Sequence, residues 1–138
     1  MKKNFTAVAP AKLREVWAKV LPGLNKIEKP DGFINEDVYV SLLSGSTVLF
    51  MLEVDDVDAG WVMLEKVEEF GKKRLHIWLC FSDANKNILS VFDEDVTNVA
   101  KDIGASSISF GSTQRFWERV APKHGFHPRE TIYVRPIE

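Results

Sequence analysis

The apolar positions change period along the chain, and those changes divide it into elements. Between Pro10 and Leu21 they fall at Leu13, Val16, Trp17, Val20 and Leu21, one side of a helix. Pro10 suits the first turn, where its missing N–H loses nothing, and Pro22-Gly23 is expected to close the helix. Glu28 to Phe33 reads as a polar connection. Asn35 to Ser44 predicts a second helix, with Asn35 as its cap, Glu36 and Asp37 beside its positive end, and Gly45 as a left-handed stop.

The period then becomes that of extended chain. Thr47 to Val54 (TVLFMLEV), Trp61 to Glu68 (WVMLEKVE) and Leu75 to Phe81 (LHIWLCF) read as three strands. The links, Asp55 to Gly60 and Glu69 to Lys73, are short and rich in turn residues, which makes an antiparallel meander. Apolar character on both faces of the first and third strands predicts helices on both sides of a central sheet. Asn87 to Gly104 follows as a helix with Ile88, Leu89, Val91, Phe92, Val96, Val99, Ala100 and Ile103 on one face, and Gly104 ends it. Ser106 to Phe110 alternates as a strand, Ser112 or Thr113 can cap a fourth helix, and Thr131 to Val134 (TIYV) is expected as a last strand. With a short strand at the start, the order is β, α, α, β, β, β, α, β, α, β. The segment from Leu75 to Phe110 then forms a right-handed parallel crossover in an otherwise antiparallel sheet.

Composition narrows the class. At 138 residues and 15.7 kDa, with 45% hydrophobic and 28% charged residues, residues 1–138 are expected to form a single domain around one core. A net charge of -2 and a pI near 5.9 argue against nonspecific nucleic-acid binding, which draws on neutralised phosphates. The single Cys80 cannot form an intramolecular disulfide, so a reducing cytoplasm is expected. No apolar run of signal or membrane-spanning length follows the basic Met1 to Lys3, and the chain is read as soluble, without a membrane anchor.

Candidate chemistry is sparse. Glu65 and His76, on strands of the meander, are the candidates for a catalytic base, with a packed or solvated strand residue as the ordinary alternative. Arg115, Arg119 and Lys123 recur every four residues and share a helix face, either simply solvated or able to hold an anion or an acidic partner. Pro122 interrupts that face. Asp56 to Gly60 lacks the ligand pattern of a calcium loop, and His124 and His127 have no third ligand nearby, so no metal is expected. Cys80 reads as a buried, inert thiol, and the four tryptophans as core or cleft wall.

The element order, with its meander, crossover helix and terminal strand-helix-Gly-Phe unit at His124-Gly125-Phe126, resembles the GNAT acetyltransferase superfamily over nearly the whole chain. Gly32 to Gly45, Thr47 to Glu53, and Arg115 and Trp117 before Gly-Phe look like small GNAT-like proteins often carried by bacteriophages, which would place the chain in a host cytoplasm or a virion. The resemblance implies a three-layer α+β fold, a mixed and mostly antiparallel twisted sheet with helices on both faces. It also implies acetyl-CoA as cofactor and an amine, on a small molecule or a protein, as acceptor. Its coenzyme would lie along Trp78, Leu79, Cys80 and Phe81 and the following loop, with Asn85, Lys86 and Asn87, and near Gln114, where the family often has Asn. Two departures stand out. The loop SDANKN lacks the family's pyrophosphate glycines, and Ala121 occupies the place of a Tyr that protonates the leaving thiolate. Two readings therefore remain open: an acyl-CoA-dependent N-acetyltransferase with a degenerate pyrophosphate loop, or a catalytically silent GNAT-like binding or phage-associated protein using the Arg115, Arg119 and Lys123 face.

Overall fold

A computed structural model describes residues 2–27, 29, 32–82, 88–112 and 116–137, with only the backbone of Ile88, Leu89 and Phe116. The elements are β1 (Lys3–Val8), α1 (Leu13–Lys26), α2 (Asn35–Ser44), β2 (Thr47–Val54), β3 (Val57–Glu69), β4 (Lys72–Ser82), α3 (Ile88–Asp102), β5 (Ser107–Phe110) and α4 (Phe116–Val120). Short 3-10 helices precede α1 (Pro10–Lys12) and follow α4 (Ala121–His124). The strands form one sheet in the order β1-β2-β3-β4-β5, antiparallel except for the parallel pair β4 and β5. The expected meander and parallel crossover are therefore present.

Both faces of the sheet are covered, as the apolar runs of β2 and β4 require. On one face α3 presents Phe92, Val96 and Ala100 to Phe50, Leu52, Val62, Leu64 and Leu75. On the other, α1 and α2 bring Leu13, Val20, Leu24, Val38 and Leu42 onto Leu49, Trp61, Met63 and Leu79. Each fully buried side chain of this size stabilises the fold by about 1.5–3 kcal/mol relative to exposure.

Local expectations are corrected in four places. First, α1 does not stop at Pro22-Gly23 but continues to Lys26. Pro22 gives up one helical hydrogen bond, yet burial of Val20 and Leu24 on either side keeps the helix on the sheet. Gly23 lets it come close, because a Cβ there would lie 2.5 Å from Phe81 Cγ and 2.9 Å from Trp61 Nε1. Second, the cap of α2 is Ile34 rather than Asn35, and Asp37 Oδ2 accepts from the Ile34 N–H at 2.9 Å. Third, the six-residue link between the first two long strands shrinks to the turn Asp55-Asp56, with φ of 52° and 64°. Lys2 braces that strained turn: its N–H donates to Asp55 Oδ1 at 2.9 Å, its carbonyl accepts from Asp55 N–H at 2.7 Å, and its Nζ lies 3.2 Å from Asp56.

Fourth, Thr131 to Val134 do not form a strand; residues 126–137 carry no regular secondary structure, and Ile132, Tyr133 and Val134 are exposed. Alternating apolar residues make a strand only where a neighbour offers a ladder, and β5 has no second partner among the described residues. The His124-Gly125-Phe126 ending does its work earlier. Gly125, at φ 84°, closes the last 3-10 turn, with its N–H on Pro122 O at 3.1 Å and Phe126 N–H on Ala121 O at 3.1 Å. The Phe126 and Trp117 rings then pack edge-on against Phe110, at 5.0 and 4.8 Å, and fix this unit on the end of β5. Pro122 ends α4 as its position suggested, so the Arg119 and Lys123 face passes from α-helix into 3-10 helix; Arg115 lies outside the described residues.

Candidate functional site

The site begins with a mismatch in ladder length. β4 pairs with β3 from Lys72 to Ser82, but with β5 only from Arg74 to Ile77, where Ile77 meets Phe110. Beyond that point β4 and the chain after β5 part. Trp78 marks the parting: Met63 pairs with Leu79 and Leu64 with Ile77, so Trp78 is an extra residue, a β-bulge. The bulge puts Trp78 on the α1 and α2 face beside Leu79, where its ring meets Phe33 at 5.5 Å. Past it, the β5 side of β4 is unpaired from Trp78 to Ser82 among the described residues. Such an edge accepts an extended amide-bearing ligand by main-chain hydrogen bonds.

Gly60 keeps the far end of this edge in shape. At φ 130° it sits against the Phe81 carbonyl so closely that a Cβ would collide with it. Phe81 turns toward α1, with Lys26 Nζ 5.7 Å from its ring centroid. Cys80 is exposed, not buried as its apolar run suggested. Protein atoms crowding the sulfur still push the thiol above its usual range, which leaves it protonated and a poor nucleophile at neutral pH.

At the vertex of the notch the pairing registers place four polar side chains in one row across the sheet. Thr47 opposes Glu65, Glu65 opposes His76, and His76 opposes Ser109. Partners in register share a face, so the row lies on the α1 and α2 side, next to the apolar row of Leu49, Met63 and Leu79. His76 Nδ1 lies 2.9 Å from Ser109 Oγ and 3.5 Å from an Arg74 guanidinium nitrogen, and the same nitrogen donates to Ser109 Oγ. Arg74 also donates to Glu69 Oε1 at 2.6 Å, and Arg129, from the C-terminal segment, donates to Glu69 Oε2 at 2.9 Å. Those two hydrogen bonds, Arg129's first, hold the Glu69 carboxyl below its usual pKa. His76 is half-buried, and desolvation lowers its pKa below 6.5; the Glu65 charge opposes this and the Arg74 charge adds to it.

The structure thus brings Glu65 and His76 together and places Trp78, Leu79, Cys80 and Phe81 along the open edge. Asn85, Lys86, Asn87 and Gln114 lie outside the described residues. Sequence reasoning missed Ser109, Arg74 and Thr47, because a polar residue on a strand says nothing until the register supplies its neighbour. No group of three or more His, Cys, Asp or Glu suited to a metal occurs among the described residues. No helix among them is long and apolar enough to cross a membrane.

No protein-family description matches the chain, and neither does any curated protein. Solved structures do. The ribosomal-protein-alanine N-acetyltransferase of Brucella melitensis biovar Abortus 2308 is 12% identical with a TM-score of 0.73, over 99% of this chain and 100% of that one. An aminoglycoside acetyltransferase from an uncultured soil metagenomic sample, solved with sisomicin, is 9% identical with a TM-score of 0.71, over 99% and 97%. Aminoglycoside N-acetyltransferase AAC(6')-Iy, in complex with CoA, is 13% identical with a TM-score of 0.68, over 98% and 95%. The five-stranded mixed sheet covered by helices on both faces is the GNAT-like fold that these acetyltransferases share.

Proposed function

We propose that this chain is a GNAT-type N-acetyltransferase that draws its acetyl group from acetyl-CoA and delivers it to an amine. The observation that carries the reading is the notch itself: a β4 edge unpaired from Trp78 to Ser82 among the described residues, opening where the His76 row begins. That edge suits the amide groups of an extended pantetheine arm, so Trp78 to Phe81 are the residues assigned to hold it. Bound acetyl-CoA would supply an activated acyl thioester. The protein's own part is to orient the amine at the vertex and to remove its proton. His76, kept neutral near pH 7 by desolvation, is the base, with Glu65 beside it to stabilise the charge it gains. Lys86 is assigned to the coenzyme phosphates, in place of the missing glycines.

Calorimetric titration with acetyl-CoA tests this. Saturable binding is expected, weakened by Lys86→Glu and competed by CoA; no heat at millimolar ligand would remove the reading. Ala121 favours a second reading, because its methyl group cannot protonate a leaving thiolate. On that reading the chain is a catalytically silent member of the fold, of the kind some bacteriophages carry, that binds a protein through Arg115, Arg119 and Lys123. It requires acetyl-CoA turnover to be absent and capture of a partner to be lost when Arg115 and Arg119 are reversed in charge.

A further inference from the structure

Resting on the acetyl-transfer reading, we infer that Ser109 is a catalytic residue: its hydroxyl carries the proton from the acceptor amine to His76. Hydrogen-bond direction fixes the role of each group. A guanidinium only donates, so Arg74 occupies a lone pair of Ser109 Oγ and faces His76 Nδ1 as a donor at 3.5 Å. Nδ1 therefore has no proton of its own in the neutral ring. Among the described residues the remaining donor for Nδ1 is the Ser109 hydroxyl, 2.9 Å away. Neutral His76 is accordingly the Nε2–H tautomer. The nitrogen able to accept a proton is turned toward β5 and is reached through Ser109.

This arrangement assigns each group one task. The amine N–H gives its proton to Ser109 Oγ as the Ser109 hydroxyl proton passes to His76 Nδ1. One proton enters the serine, one leaves it, and the ring becomes imidazolium. The new charge is stabilised by Glu65, the register partner of His76 on β3. Arg74 is a positioning residue. It fixes the direction of the serine hydroxyl, opposes protonation of the ring while the site is at rest, and is itself held by Glu69.

The test has one arm that needs no turnover. In isotope-labelled protein, the ring nitrogens of His76 should show the Nε2–H tautomer at pH 8, and the titration of His76 should move up in Arg74→Met. An Nδ1–H tautomer in the wild-type protein would overturn the inference. In the second arm, Ser109→Ala should lower kcat about 10²-fold, in the range of general acid–base effects, with KM for acetyl-CoA little changed and Ser109→Thr largely restored. Unaltered kcat and pH profile in Ser109→Ala would overturn the relay and leave acetyl transfer standing. Absence of acetyl-CoA binding in the wild type would sink both. An acetyl group found covalently on Ser109 would replace the relay with a nucleophilic serine.

Discussion

His76 shows how one residue's surroundings set a measurable pH dependence. Its folded pKa is depressed, so the unfolded chain binds the proton more readily, and stability falls as pH drops from the ordinary value of 6.5 through the folded one. If the proposed acetyl transfer occurs, the acid limb of its rate should likewise lie below pH 6.5, and Arg74→Met should move it upward. An acid limb at or above 6.5 in the wild type would contradict the assigned base. Gly23 makes a packing prediction of the same kind. Gly23→Ala gains helix propensity of roughly 1 kcal/mol but forces a methyl onto Phe81 and Trp61. Overpacking of this sort costs about 1–3 kcal/mol, so a net loss of about 1 kcal/mol is expected in urea denaturation. Phe70 goes the other way. It lies 99% exposed at φ 54° in the turn between β3 and β4, where Asn fits at little cost. Phe70→Asn should stabilise by about 0.5–1 kcal/mol; a lower midpoint would mean that the ring has a use this chain alone does not reveal.

At the level of elements, the meander and the crossover helix were legible because their signals are local. Runs such as TVLFMLEV and the stripe from Val91 to Ile103 state their period within a few turns of chain. Register was not legible. The Trp78 bulge exists because β3 and β4 pair with one residue to spare, and LHIWLCF looks the same with or without it. For that reason Glu65 and His76 could be named singly from the sequence, while the row that joins them to Thr47 and Ser109 could not. The Pro22-Gly23 pair misled for a related reason: it is a strong stop in isolation, and contacts with Phe81 and Trp61, distant in sequence, override it. Removing the bulge should erase the notch. A variant lacking Trp78 should let β4 pair further with the chain after β5 and lose the proposed acetyl-CoA binding while remaining folded; acetyl-CoA affinity kept in that variant would place the proposed coenzyme site elsewhere.

For the whole molecule, the C-terminal segment is tied back by the Phe126 ring on Phe110 and by the Arg129 guanidinium on Glu69. The TIYV pattern looked like a strand because alternation reports what a segment could bury and not whether a neighbour exists. The Glu69 link has a defined pH range. Its carboxyl is held below 4.5, so the stabilisation is present above that value and is lost as pH falls through the folded pKa. Limited proteolysis should therefore cut the segment beyond Phe126 faster in Glu69→Gln at pH 7, and in the wild type only under stronger acid. Equal cutting rates would show that Phe126 alone retains it.

The row of Thr47, Glu65, His76 and Ser109 draws one residue from each of four strands, and its last member arrives by a parallel ladder closed over the connection that carries α3. Pairing across so long a loop is slow to form, so during refolding the secondary structure should recover first and the histidine's shifted titration last. The proposed chemistry is a property of the finished sheet, and no fragment ending before Ser107 should possess it.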